Sequence, residues 1–162
     1  MYVIDANFFI QAHRSTYPLD VATSFWEKVA EMAASGRIVS IDKVRSELYK
    51  HEDDLKAWCI ATLPPDFFKD TSIILPDYGR VVSWAASMSH HYLPRALQEF
   101  LSADEADAWL VAYAISNNCT IVTHELSQPD RRNKIKIPEA CAPFNIQYVN
   151  TIEMFRRLGE RF

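Results

Sequence analysis

The chain has 162 residues, 49% of them hydrophobic and 23% charged, with a formal net charge of −4. That length suits a single domain with a sizeable core, and the composition excludes a disordered or fibrous chain. The mildly acidic balance excludes a protein that grips nucleic acid by overall charge. It leaves open an enzyme whose basic residues surround an acidic centre.

No apolar run is long enough to span a membrane, so none is expected as a partner. No basic region, apolar stretch and small-residue cleavage site open the chain, so secretion is not expected. The three cysteines, Cys59, Cys119 and Cys141, form no CxxC. Their odd number and wide spacing suit reduced thiols filling a core in a cytoplasmic protein.

In chain order, Tyr2 to Ile4 reads as a short buried strand ending on Asp5. Residues 19 to 35 carry Val21, Ala22, Phe25, Trp26, Val29 and Ala33 at helical spacing, and Gly36 follows as a C-terminal cap. Residues 37 to 41 read as a second strand. Asp42 is placed to cap a helix through Val44, Glu47 and Leu48. A further helix, 52 to 63, stops at Pro64-Pro65. Residues 77 to 88 and 94 to 101 read as helices broken by Tyr92-Leu93-Pro94. Residues 102 to 116 form a helix ended by Asn117-Asn118. Residues 119 to 123 are β-branched and read as a third strand. A polar stretch, 125 to 136, leads to a fourth strand at 146 to 149 and a closing helix at 151 to 158.

Short apolar strands alternating with helices predict one α/β domain over 1–162. Its three-layer α/β/α fold has a central, mainly parallel sheet of four or five strands. Active sites of such folds lie at the carboxyl ends of the strands, where Asp5 and Glu125 fall. Glu47 borders the apolar face of its helix, and Asp107 lies on the stripe shared with Leu110, Val111 and Ala114. Asp104 is expected one turn earlier on the same side.

Each acid has a plain structural alternative. Asp5 suits a helix cap, Glu47 a solvated face, Asp104 a cap, Glu105 and Asp107 the favourable end of a helix dipole, and Glu125 a loop. Their shared placement argues otherwise, because unpaired carboxylates are costly to bury and call for a cation. A hard divalent ion such as Mg²⁺ takes oxygen ligands and needs only one or two direct carboxylates. Two such ions ~3.5–4 Å apart assist phosphodiester cleavage at both the attacking and leaving oxygens. Zinc is not expected, since His13, His51, His90, His91 and His124 show no paired ligand spacing.

The stretch YVIDANFFI resembles the hydrophobic-Asp-x-Asn opening of PIN domains, the fold of VapC-like toxin ribonucleases. Glu47 in IDKVRSELYK matches the family's second acid, which lies early in a helix after the second strand. Asp107 in ADAWLVAYA matches the Ala-Asp-x-x-Ile-Ala-x-x-Ala pattern. IVTHE stands where the family usually has Thr-Asn-Asp, making Thr123 and Glu125 the fourth site. The tail from Lys134 onward points to a less characterised PIN-like branch.

This resemblance implies a Mg²⁺- or Mn²⁺-dependent endoribonuclease, commonly neutralised by an antitoxin protein and often a homodimer. It makes Asp5 and Asp107 the principal metal ligands. Glu47 would complete the site or orient a water, and Glu125, longer than the usual Asp, would act on a second ion or through water. Asp104 leaves the third site open between itself and Asp107, with Asp107 favoured, and would bind a second ion or hold its water. Asn7 would fix Asp5 or form a turn. Thr123 would hold a ligand carboxylate or simply belong to its strand.

Arg131, Arg132, Lys134 and Lys136 in PDRRNKIKIP follow the acidic strand end. They would hold RNA phosphates or form a solvated loop. Trp84, Met88 and Tyr92 suit the core, or a dimer or antitoxin surface. A non-catalytic PIN-like binding domain is the main alternative, disfavoured because four acidic positions are present. A haloacid-dehalogenase-type phosphatase would need a second Asp where Asn7 stands.

Overall fold

The computed structural model describes residues 1–162. Five strands, β1 (Tyr2–Ile4), β2 (Ile38–Ile41), β3 (Phe68–Lys69), β4 (Thr120–Val122) and β5 (Tyr148–Val149), form one sheet in the order β3-β2-β1-β4-β5. Every pairing is parallel. Parallel neighbours need crossovers, and helices supply them on both faces, giving a three-layer α/β/α protein. Two-residue β3 falls in Asp66-Phe67-Phe68-Lys69, too short for a periodic signal, so the expected third and fourth strands are the fourth and fifth.

The strand order reverses beside β1, whose neighbours are β2 and β4. In an open parallel sheet this reversal opens a crevice at the carboxyl ends of the strands. Both sides of that edge are pinned. Asp5 N–H donates to Val122 O at 3.0 Å, and Ser40 Oγ donates to Ile4 O at 2.7 Å.

Nine α-helices follow in chain order: α1 (Ala6–Gln11), α2 (Thr23–Ala34), α3 (Asp42–Leu48), α4 (Asp54–Thr62), α5 (Leu75–Ser87), α6 (Pro94–Phe100), α7 (Ala106–Asn117), α8 (Ile137–Cys141) and α9 (Thr151–Leu158). Helix α7 is buried over Ala106 and Ala108 through Ala114, nearly all round. Such a helix belongs in the centre of a core, and its alanines let it lie close against the sheet and α5. Tyr78 of α5 stacks flat on Trp109 at 3.7 Å between ring centroids. Asn118, in left-handed conformation (φ 49°), ends α7. Gly36 (φ +69°) ends α2 in the same way, a backbone geometry that favours glycine.

Three expectations are corrected. Asp42 does not cap α3 but is its first residue, and its carboxylate accepts from Thr71 Oγ1 at 2.8 Å. The helix expected from 102 begins only at Ala106, because residues 102 to 105 close a turn in which Glu105 N–H donates to Ser102 O. The polar stretch after β4 runs straight into α8 and a 3₁₀ turn, Ala142–Phe144, that patterning did not reveal.

No helix is long and apolar enough to cross a membrane. Cys59, Cys119 and Cys141 are free and buried in the core. Burial pushes their thiols up, to about 12, 11 and 12 respectively.

Candidate functional site

Asp5 occupies the cap position of α1 but makes no side-chain capping bond. Its carboxylate turns across the crevice instead. Thr123 Oγ1 donates to Asp5 Oδ2 at 2.9 Å, and Asn7 Nδ2 reaches the same oxygen at 3.4 Å. Oδ1 is left without a side-chain donor. Asp5 is 2% exposed, and its carboxyl is pushed up from 3.8 to about 6. Burial is the main cause, opposed by the Thr123 bond and reinforced by the charges of Glu125 and Glu47. Thr123 is itself buried, and its hydroxyl also accepts from Glu125 N–H at 3.2 Å. One strand-end threonine therefore ties the first acid to the fourth.

Asp107, the second residue of α7, faces the same crevice. Burial first, then the charges of Asp5 and Glu125, raise its carboxyl well above the ordinary value, against a smaller opposing pull from Lys134. Glu47 lies near the end of seven-residue α3, not early in its helix as expected. Its carboxyl is also raised, by burial and then by Glu105.

Glu105 is the site residue that sequence reasoning passed over. It stands at the cap position of α7, exposed, with no capping bond of its own, and its charge acts on both Glu47 and Asp107. Its signal was its spacing of two from Asp107, hidden by its ordinary fitness for a helix start. Asp104 is different. It lies in the exposed turn ahead of α7 rather than one turn earlier on the helix face.

Glu125 lies beyond the end of β4 with its side chain 11% exposed. Oε2 accepts from Ile137 N–H of α8 at 2.8 Å, and Oε1 pairs with Lys134 Nζ at 3.1 Å. Lys134 therefore points into the acidic crevice, sharing a small recess with Asp107, Glu105 and Glu99. Burial pulls its ammonium down, but Glu125, Asp107 and Glu99 together raise it above its ordinary value.

The other cations of this loop are held by neutral oxygens. Arg132 Nε donates to His91 O, Arg131 to Asn133 Oδ1 and Gln128 Oε1, and Lys136 Nζ reaches Leu126 O at 3.4 Å. Arg131 and Arg132 remain exposed. His124 turns to the other side of β4, where Nε2 meets Thr151 Oγ1 at 2.9 Å, and burial lowers its pKa. No three His, Cys, Asp or Glu side chains are arranged as a ready-made metal cage.

Fold and site together define an α/β protein whose sheet reverses order at a crevice of mutually repelling carboxylates. The chain belongs to the family described as a domain of unknown function, DUF4411, whose profile matches residues 2–162. Comparison with curated proteins and with solved structures gave no match.

Proposed function

We propose that the chain is a PIN-like, Mg²⁺- or Mn²⁺-dependent endoribonuclease that hydrolyses RNA phosphodiester bonds. The observation that carries this reading is Asp5. Its carboxylate is fully buried, does no capping, and is pushed up to about 6 beside the charges of Glu47 and Glu125. Asp107 feels Asp5 and Glu125 in turn. Such repulsion is sustained where a site is built to receive positive charge.

The donor set fits a hard divalent ion. It consists of carboxylate oxygens, and Mg²⁺ needs only one or two of them with water completing its shell, so no closed cage is required. Asp5 and Asp107 would hold the ion, with Glu47 and Glu125 beside them. When bound, the ion supplies charge neutralisation at the attacking and leaving oxygens of the phosphodiester. Thr123 and Asn7 hold Asp5 Oδ2, orienting the carboxylate. Lys134 holds Glu125, and Arg131 and Arg132 at the rim offer exposed charge to an RNA backbone. A toxin role, an antitoxin partner and a homodimer rest on the resemblance of the acidic motifs alone.

The test incubates purified protein with mixed RNAs and single-stranded DNA in Mg²⁺, Mn²⁺ or EDTA, beside Asp5→Asn and Asp107→Asn. Metal-dependent RNA cleavage lost in both variants supports the reading. Cleavage that persists in both variants, or in EDTA, overturns it.

A further inference from the structure

On the far side of the loop after β4 lies an open cavity of about 400 Å³, between α5, the turn that follows it (residues 88–92), the loop itself and α8. Its volume is that of a small-molecule site. Trp84 and Tyr92 supply aromatic wall, and prolines of the loop and α8 supply apolar floor. Among its lining residues the only acidic side chain is Glu139. Neither lysine nor arginine lines it, so it is not built for phosphate.

Two polar atoms there lack partners. Glu139 Oε1 is fixed by Ser127 Oγ at 2.5 Å and Gln128 N–H at 2.8 Å. Glu139 Oε2 and His91 Nε2 are buried with no hydrogen bond at all. A buried carboxylate oxygen without a donor is costly, and it marks a place where a donor belongs. Tyr92 registers the charge, its hydroxyl being raised by burial and then by Glu139. The last torsion of a glutamate is soft, so rotation about it brings Oε2 to the cavity wall and moves Oε1 off its present donors.

The ligand that matches is flat, aromatic, uncharged and bears an N–H donor. Two crossing segments separate the cavity from the carboxylate crevice. Glu125 accepts from Ile137 N–H of α8, and two residues along each segment Glu139 of α8 accepts from Ser127 and Gln128. Taking the ribonuclease reading above as its basis, we propose that this cavity is a nucleobase pocket. It takes an unpaired purine bearing an exocyclic amino group from an RNA whose backbone lies in the crevice. The base stacks on Trp84, its amino group donates to Glu139 Oε2, and His91 Nε2 meets a ring nitrogen or oxygen on the same edge.

The test uses free nucleosides, which carry no phosphate and bypass the carboxylate crevice. Adenosine, purine riboside and uridine are titrated into wild-type protein in EDTA while the Trp84 indole N–H is followed by NMR, assigned with Trp84→Phe. Adenosine is expected to move this signal and to saturate. Purine riboside, which lacks only the amino group, binds roughly tenfold weaker, as for loss of a hydrogen bond to a charged acceptor. In Glu139→Gln the adenosine advantage over purine riboside disappears. Equal binding of the three nucleosides, an unmoved Trp84 signal, or an advantage that survives Glu139→Gln overturns the pocket. Because binding is read without metal or cleavage, failure of the nuclease reading appears separately, as intact RNA in the cleavage assay. If cleavage occurs, wild type is expected to cut next to adenine or guanine, and Glu139→Gln to lose that preference.

Discussion

The two edges of the sheet handle acidic residues in opposite ways. At the amino edge, Glu160 is paired with Arg37 and with Lys28 at 3.1 Å, and Lys28 also holds Glu31 at 2.6 Å. The hydrogen bonds from Arg37 and Lys28 hold the Glu160 carboxyl below its ordinary value. Two cations meet two acids, and the charge is balanced where it stands. At the carboxyl edge only Lys134, and Lys50 beside Glu47, stand against Asp5, Glu47, Glu105, Asp107 and Glu125, and the carboxyls of Asp5, Glu47 and Asp107 are all raised. The first cluster fastens the fold. The second gathers acidic groups with few cations at the switch point, as the proposed cation site requires.

The sharpest way to break this comparison is to neutralise the second cluster. Asp5→Asn and Asp107→Asn should each lower RNA cleavage by roughly two orders of magnitude or more, measured under single-turnover conditions. Removing a charge from the amino edge, with Glu160→Gln, should leave the cleavage rate unchanged.

Stability should move the other way. The Asp5 carboxyl rises on folding from 3.8 to about 6. The folded state therefore binds the extra proton between those values. In the absence of metal, the contribution of Asp5 to stability falls as pH rises through this window, and the full penalty stands above about pH 6. At about 1.4 kcal/mol per pH unit, that penalty approaches about 3 kcal/mol at neutral pH. Metal-free Asp5→Asn should thus melt several degrees higher than wild type at pH 7, with the gap closing toward pH 4. Glu160→Gln should melt lower at pH 7, since its carboxyl is lowered rather than raised. If both variants shift the same way, the two edges do not differ as described.

A smaller effect should follow at Lys134. Lys134→Gln removes the cation paired with Glu125, so the metal-free protein should lose stability to urea while Mn²⁺ binds several-fold tighter. A lysine serving only RNA phosphates would leave Mn²⁺ affinity unchanged. Of similar scale is Thr123→Val, which keeps the β-branched shape and deletes the hydroxyl on Asp5 Oδ2. It should cost roughly tenfold in activity, the scale for a residue that orients a ligand.

Much of this was legible in the chain because the signals were local. A hydrophobic run ending on Asp5, and a β-branched run ending on Thr123, mark strand ends without knowledge of the partner. Parallel strands were implied by the helices between them. Strand order was not, yet it is the order that places Asp5 beside Thr123 across 118 positions. Helix α7 was legible in its alanines but not in its start, because Ser102 to Glu105 have adequate helix propensity and the turn is set by tertiary contacts. That error placed Asp104 on the helix face and passed over Glu105 at the cap position. Lys134 read as one cation among four in a surface loop. Only the path of residues 125 to 137 turns it inward while Arg131 and Arg132 stay out. The Glu139 pairings with Ser127 and Gln128 had no sequence signal, since they join a loop to a helix not visible in the pattern.

The most direct test of the central claim, that the carboxylates at the sheet's switch point receive a divalent cation, is a calorimetric titration of Mn²⁺ into wild type and Asp5→Asn at pH 7.5. The account predicts saturable binding to wild type and its loss in Asp5→Asn, with the variant folded and more stable in EDTA. No binding to wild type, or equal binding to both proteins, would contradict it.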